Sequence, residues 1–150
     1  MKIRLANKDD VDSMVEFNQA MAFETEGKHL ETETLRRGVE AVFADQNKGF
    51  YVVAELEGRV VGGLMITYEW SDWRNAWWWW VQSVYIRPEA RGKHIYSQLY
   101  GLVKTMANEA GAYGIRLYVE TENHHAQKVY EKVGMNPSNY LMYDEMIWQK

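Results

Sequence analysis

The chain has 150 residues, enough for one domain with a core of its own. Hydrophobic residues make up 47 % and charged residues 25 % of it, ordinary globular usage that excludes a disordered chain. The formal net charge of −4 removes the electrostatic case for binding a nucleic-acid backbone, although a local basic patch could still hold a smaller anion.

The absence of cysteine excludes a disulfide framework, thiol catalysis and thiolate metal sites. His29, His94, His124 and His125 form no helical His-x-x-x-His pair and no zinc pattern, so no metal is expected. The N-terminal "MKIRLANKDD" has no apolar leader region, and nowhere do eighteen apolar residues run together. The expectation is a soluble, cytoplasmic chain with neither membrane nor nucleic acid as partner.

In chain order, residues 2 to 6 predict a short strand, and Asn7 to Asp10 offer caps for a helix carrying Val11, Met14, Val15, Phe17 and Met21 at helical spacing. The acidic, broken stretch "ETEGKHLETE" ends that pattern. A second helix is predicted over 32 to 44, with Leu35, Val39, Val42 and Phe43 inward. From residue 50 the period becomes that of strands: "FYVVAEL" and "RVVGGLMITYEW", joined by "EG", predict a hairpin. The loop "SDWRNA" returns the chain into "WWWWVQSVYI", residues 77 to 86, so three antiparallel strands follow one another.

Residues 92 to 110 predict a helix with Ile95, Leu99, Leu102, Val103 and Met106 on one stripe and Gly111 to stop it. "IRLYVE", 115 to 120, reads as a strand, parallel to the tryptophan strand because a helix connects the two. Asn123 can cap a short helix carrying Ala126, Val129, Tyr130 and Val133 before Gly134 ends it, and residues 139 to 148 predict a last strand. The whole of 1–150 then forms a single α+β domain, a mixed sheet with helices on its faces.

Arg91, Gly92, Lys93 and His94 fall where the tryptophan strand gives way to the long helix. Unpaired N–H groups at the helix start and the helix dipole favour an anion there, with Arg87, Arg91 and Lys93 adding full charges. A solvated basic loop would have the same composition. The segments "IRPEARGKHIY" and "ENHHAQKVYEKVGM" together resemble the two motif segments of the GNAT N-acetyltransferase superfamily. The first matches [QR]-x-x-G-x-[GA] at Arg91 and departs from it at His94 and Tyr96. The second matches N-x-x-A-x-x-x-Y-x-x-x-G-[FM] throughout, at Asn123, Ala126, Tyr130, Gly134 and Met135.

The resemblance implies a sheet of six to seven strands with about four helices, a homodimer, and acetyl-CoA as cofactor. In that family's manner the pantetheine would pair with backbone at Val84, Tyr85 and Ile86, and the pyrophosphate would sit on Arg91, Gly92, Lys93, His94, Ile95 and Tyr96. Asn123 would cap its helix, contact the cofactor, or both. The acceptor implied is an amine of a small molecule, with a peptide or protein amine as the alternative and a silent CoA-binding domain or an aromatic interaction module as different kinds of function. Tyr130 matches the tyrosine that donates a proton to the leaving sulfur, and a phenol is protonated at neutral pH.

A general base is less evident in the residues. Gln82 has the strand parity of Trp78, Trp80, Val84 and Ile86 and can orient substrate or water but cannot take a proton. Glu120 is the carboxylate available for a water relay, or a solvated strand-end charge. Glu24, with Glu26 and Glu31, lies where such a fold builds its acceptor side, and Trp80 is a candidate for the pocket wall. Four successive tryptophans put two on each face of their strand, so one pair can pack under helices while the other lines a pocket or interface; core packing alone would account for them as well.

Overall fold

The change of period at residue 50 marks the centre of the sheet. In the computed structural model, which describes residues 1–148, β2 (Phe50–Leu56), β3 (Arg59–Ser71) and β4 (Ala76–Ile86) form an antiparallel meander. Glu57 and Gly58 turn the first hairpin with φ of 52° and 78°, the left-handed pair that a tight two-residue turn requires. β1 (Lys2–Leu5) pairs antiparallel with β2, and β5 (Gly114–Arg116) pairs parallel with β4, giving the order β1-β2-β3-β4-β5. The architecture is the expected mixed α+β one, with five strands among the described residues in place of six to seven.

The helices are α1 (Val11–Glu26), α2 (Thr32–Ala44), α3 (Ile95–Ala110) and α4 (His124–Lys132). α1 continues three residues into the acidic stretch before Gly27, at φ 63°, ends it. The chain divides into two compact units, 1–118 and 119–150. In the first, Met14, Val15 and Phe17 of α1 and Val39 of α2 pack with Tyr51, Val53 and Tyr85. Val52, Ala54, Leu64 and Ile66 alternate onto the opposite face, where α3 buries Leu99 and Val103. The alternation of β2 therefore feeds two cores, one on each face.

The second unit holds α4. Asn123 caps it by accepting from the Ala126 N–H at 3.1 Å, and Gly134, at φ 103°, follows its end. The strand expected over 139 to 148 is not formed within the described residues: 139–148 has neither helix nor strand. The expected strand over 115 to 120 shortens to Gly114–Arg116, because beyond the Trp80–Arg116 pair β4 offers it no further ladder partner.

Two local features fix the geometry around β4. Ser83 has φ 53°, and the β3–β4 register slips there, Gly63 facing Tyr85 while Met65 faces Gln82. This is a β-bulge, and it reverses the parity of the strand residues after it. Gln82 thus shares its face with Trp78, Trp80 and Tyr85, not with Val84 and Ile86 as strict alternation predicts. At Gly114 a Cβ would lie 2.5 Å from the Trp78 ring, so the parallel pair closes only because that residue has no side chain.

Among the described residues Asp10 is the buried charge, 5 % exposed. Arg4 holds both its oxygens, at 2.7 and 3.0 Å, the Asn7 N–H donates to it at 2.8 Å, and Arg4 also reaches Glu55 at 3.0 Å. Burial works against the Asp10 carboxylate, but the Arg4 and Asn7 hydrogen bonds outweigh it and hold it below the usual carboxylate range. Removing one partner of such a pair strands the other charge. Asp10→Ala is expected to cost about 3 kcal/mol in urea unfolding. Because the folded-state pKa is depressed, this contribution is complete above the unfolded value of about 4 and fades as pH falls through the folded one. The variant should therefore lose stability less steeply in acid than the parent, measured as unfolding free energy against pH.

Candidate active site

The site grows from the end of β4. Arg87 leaves the strand with its N–H bonded to the Val61 carbonyl, Pro88–Ala90 make one 3-10 turn, and Arg91 to His94 lead into α3. Gly92 lies at φ 80° and His94 at φ 60°, ψ 29°. The predicted helix start at residue 92 moves to Ile95 because these two left-handed residues make a turn ahead of it. No side chain caps α3, so its first N–H groups point into that turn. A Cβ on Gly92 would meet nothing within 4 Å, which leaves open space beside the amides.

The three cations expected there are used differently. Arg87 turns away: it pairs with Glu16 through two bonds of 2.6 and 3.1 Å and lies 4.9 Å from the Phe17 ring centroid. Arg91 donates to the Ile86 carbonyl at 2.9 Å and to Glu24 at 2.8 Å. Lys93 is exposed and, among the described residues, forms no ion pair.

Glu24 also accepts from the Tyr85 hydroxyl. That hydrogen bond, followed by Arg91, holds the Glu24 carboxyl below its usual range, while burial and then Glu24 push the Tyr85 phenol up to about 12. Glu24, predicted for the acceptor side, therefore turns to Tyr85 and Arg91 and not to Trp80 or Gln82. It ties the end of α1 to the loop before α3.

Beyond Trp80 the outer edge of β4 has no strand partner among the described residues. Of the three residues predicted to pair along it, Val84 and Ile86 are half-buried and Tyr85 is buried against Phe17, ring centroids 5.3 Å apart. The Ile86 carbonyl on this stretch is the one that Arg91 occupies. Ile95 and Tyr96, the first residues of α3, are buried, so the bulky residue at 96 packs into the protein and does not fill the loop.

A second cluster lies on the Gln82 face. Gln82 donates to Thr67 Oγ1 at 2.6 Å, and Trp80 Nε1 donates to Glu69 at 2.8 Å. Arg116 reaches the same Glu69 oxygen at 3.1 Å, with its guanidinium 3.6 Å from the Trp78 ring centroid and 5.7 Å from that of Trp80. Thr67, Glu69 and Arg116 were not legible as site residues. Strand parity could have found the first two, since each stands opposite Trp80 or Trp78 in the hairpin.

The tryptophans divide by face as alternation requires. Trp77 and Trp79 join Tyr68 in edge-on contacts at 6.2 and 5.8 Å, while Trp78 and Trp80 flank Arg116. Neither pair is wholly core: Trp79 is buried, Trp78 and Trp80 are half-buried, and Trp77 is exposed.

In the second unit, Asn123 makes the capping bond to the Ala126 N–H. Tyr130 is half-buried on α4, and burial raises its pKa. Glu120 is exposed, its backbone carbonyl accepting from Gln127 at 3.1 Å. Among the described residues no cluster of His, Asp or Glu could hold a metal, and no helix is long and apolar enough to cross a membrane.

The acetyltransferase (GNAT) family model matches residues 11–135, so the chain belongs to that family. It is 42 % identical to a possible acetyltransferase from Clostridium difficile 630, TM-score 0.91, with 99 % of this chain and 98 % of that one covered. It is also similar in fold to a probable acetyltransferase at 23 % identity, TM-score 0.87, both chains fully covered. A predicted acetyltransferase with acetyl-CoA from Clostridium acetobutylicum is 18 % identical, TM-score 0.79, with 96 % of this chain and 95 % of that one covered. No curated protein matches the chain significantly.

His94 carries the one left-handed backbone of this loop outside glycine. That conformation costs an ordinary residue about 1–2 kcal/mol, against about 0.5–1 kcal/mol for the extra freedom that glycine loses on folding. His94→Gly is expected to raise stability by roughly 0.5 kcal/mol, measured by thermal unfolding. Lower stability would mean that the imidazole makes compensating contacts.

Proposed function

We propose that the protein transfers an acetyl group from acetyl-CoA to the primary amine of a small molecule by direct attack on the thioester, as a cytoplasmic homodimer. The observation that carries this reading is the uncapped start of α3, preceded by left-handed Gly92 and His94, directly after a strand with an open outer edge. Amides without side-chain caps, a helix dipole and a Cβ-free position suit a pyrophosphate. The strand edge from Val84 to Ile86 suits an extended amide-bearing arm. The residues present therefore fit CoA.

Acetyl-CoA supplies an acyl group activated as a thioester. Around it, Gly92 to Tyr96 bind through backbone N–H groups, and Lys93 adds a charge. Arg91 serves best as the strut that holds the loop to Ile86 and Glu24, since its guanidinium already has two acceptors. Tyr130 holds a proton at its phenol oxygen at neutral pH, as an ordinary phenol does and as its burial further favours, and can deliver it to a leaving thiolate. Gln82, fixed by Thr67, presents its amide oxygen to orient an amine or a water. Glu120 is the exposed carboxylate for a water relay.

The acceptor side is best assigned to the Gln82 face, where Trp80 is a wall and Glu69 a carboxylate suited to a cationic amine. A peptide amine remains the alternative acceptor, distinguished by the same substrate panel.

Calorimetric titration with acetyl-CoA and CoA is expected to give micromolar binding, about −8 kcal/mol. An amine and peptide panel should then yield acetylated product, and binding without product on any amine would make the chain a silent CoA-binding domain. Tyr130→Phe is expected to lower kcat by about 10²-fold, the lower range for a positioned acid, with CoA affinity unchanged. Equal turnover would remove Tyr130 from the mechanism.

A further inference from the structure

Arg116 is the last residue of β5 and pairs with Trp80; beyond that pair β4 and β5 share no ladder. The edge of β4 proposed for the pantetheine arm begins at this parting, so Arg116 stands beside the reacting end of the site. Glu69 lies opposite Trp78 in the antiparallel pair and Arg116 opposite Trp80 in the parallel one, which puts both charges on the face of Gln82.

The hydrogen bonds of this cluster are half made. Arg116 spends one donor, Nη1, on Glu69, while Nε and Nη2 have no acceptor among the described residues. Glu69 uses one oxygen, Oε1, for both Arg116 and Trp80 Nε1, and Oε2 has no donor among the described residues. The guanidinium carbon is 3.6 Å from the Trp78 ring centroid, a contact distance, so the ring closes one side of the group and its N–H edge stays open. Such an edge takes a carboxylate through two parallel bonds. The two side chains are 30 % and 45 % exposed, so both open groups are reachable from solvent.

Charge decides which kind of amine suits the face. Arg74 stands 5.9 Å from the Trp78 ring centroid and 4.6 Å from that of Tyr113, and it pairs with no acid among the described residues. Two guanidinium groups beside one bonded carboxylate repel a polycation and favour a molecule that brings a negative charge of its own. Glu69 and Arg116 are in hydrogen-bond contact, so the charges that match them must be close together, as in an α-amino acid and not in a long ω-amino acid. Trp80, with the Tyr118 ring 6.2 Å away, supplies an apolar wall.

We infer that the acceptor is an α-amino acid, its carboxylate held by Nε and Nη2 of Arg116, its ammonium by Oε2 of Glu69, and an apolar side chain laid against Trp80 and Tyr118. The inference deepens the acetyl-transfer reading and rests on it for the reaction, though not for the binding. In that reaction the ammonium gives up two protons, one to solvent and one that ends on the thiol. Its nitrogen bonds to the acetyl carbon as the carbon–sulfur bond breaks, and the carboxylate on Arg116 is unchanged. The amide formed no longer carries the positive charge that Glu69 matched, which favours release of the product.

The test compares L-leucine, L-methionine and L-phenylalanine with their α-carboxamides, which keep the amine and side chain and lose the negative charge. Each is assayed for acetylation with acetyl-CoA and, separately, for binding by calorimetry in the presence of excess CoA. The expected result is that at least one acid exceeds its carboxamide by about 30-fold in affinity and in kcat/KM. Arg116→Gln should abolish this preference, and Arg116→Lys, which keeps the charge without the fork, should restore part of it. The comparison of acid with carboxamide needs the parent protein alone, so it stands whether or not the variants fold. Preferential binding of an acid without acetylation would uphold the amino-acid site and remove the acetyl-transfer reading. Carboxamides acetylated as well as the acids would overturn the inference and leave acetyl transfer standing. Neither binding nor acetylation of any of the three acids, or a preference that survives Arg116→Gln, would overturn it equally.

Discussion

The bulge at Ser83 is the constraint on which the site depends. One residue in a left-handed conformation moves Tyr85 onto the face of Gln82 and sends Val84 and Ile86 to the other. Without it, Tyr85 would point toward α3, and neither its packing against Phe17 nor its bond to Glu24 could form. The cost of a left-handed non-glycine residue, about 1–2 kcal/mol, is met by the core that Tyr85 then completes. A glycine opposite makes the close approach possible: a Cβ on Gly62 would lie 2.7 Å from the Ile86 side chain and 3.1 Å from the Tyr85 carbonyl.

The charges near the loop result from that placement. A basic turn invites the reading that every cation serves an incoming anion, yet Arg87 and Arg91 are each matched by a glutamate from α1. Exposed pairs of this kind contribute little stability, but they fix where guanidinium groups stand. The groups left for an anion are mostly backbone: amides that cannot move away and a dipole that needs no counterion. An anion held by such groups would be selected by shape more than by net charge, in keeping with a chain that is negative overall.

Much of the fold was legible because its elements announce their period. The second helix, the meander and the Glu57-Gly58 turn fall where hydrophobic spacing and turn chemistry place them; Asn123 caps α4 and the left-handed Gly111 stops α3, while Asn7 caps the 3-10 turn ahead of α1 and not α1 itself. In the motif-bearing loop, Gly92 and His94 adopt the left-handed backbone that suits glycine, a conformation that the composition of the loop alone does not reveal. The remainder escaped for physical reasons. A bulge leaves no mark in a run such as "VQSVYI", where every residue suits a strand, so the parity after Ser83 could not be inferred. Ion-pair choice at Arg87 and Glu24 depends on contacts 71 and 67 residues apart in the chain. Strand length at β5 and the tail depends on a neighbour, and strand propensity carries no information about whether a neighbour is within reach.

The clustering of tryptophan has an optical consequence. Of the seven indoles, those at 70, 73, 77, 78, 79 and 80 belong to the β3–β4 hairpin and its turn, and the seventh, Trp148, belongs to the tail. Intrinsic fluorescence therefore reports on just two regions, the β3–β4 hairpin and the exposed C-terminal segment. Arg116 between Trp78 and Trp80 makes the first sensitive to any ligand that displaces the guanidinium. Replacing Trp148 would silence the second, leaving an emission that belongs to the hairpin alone.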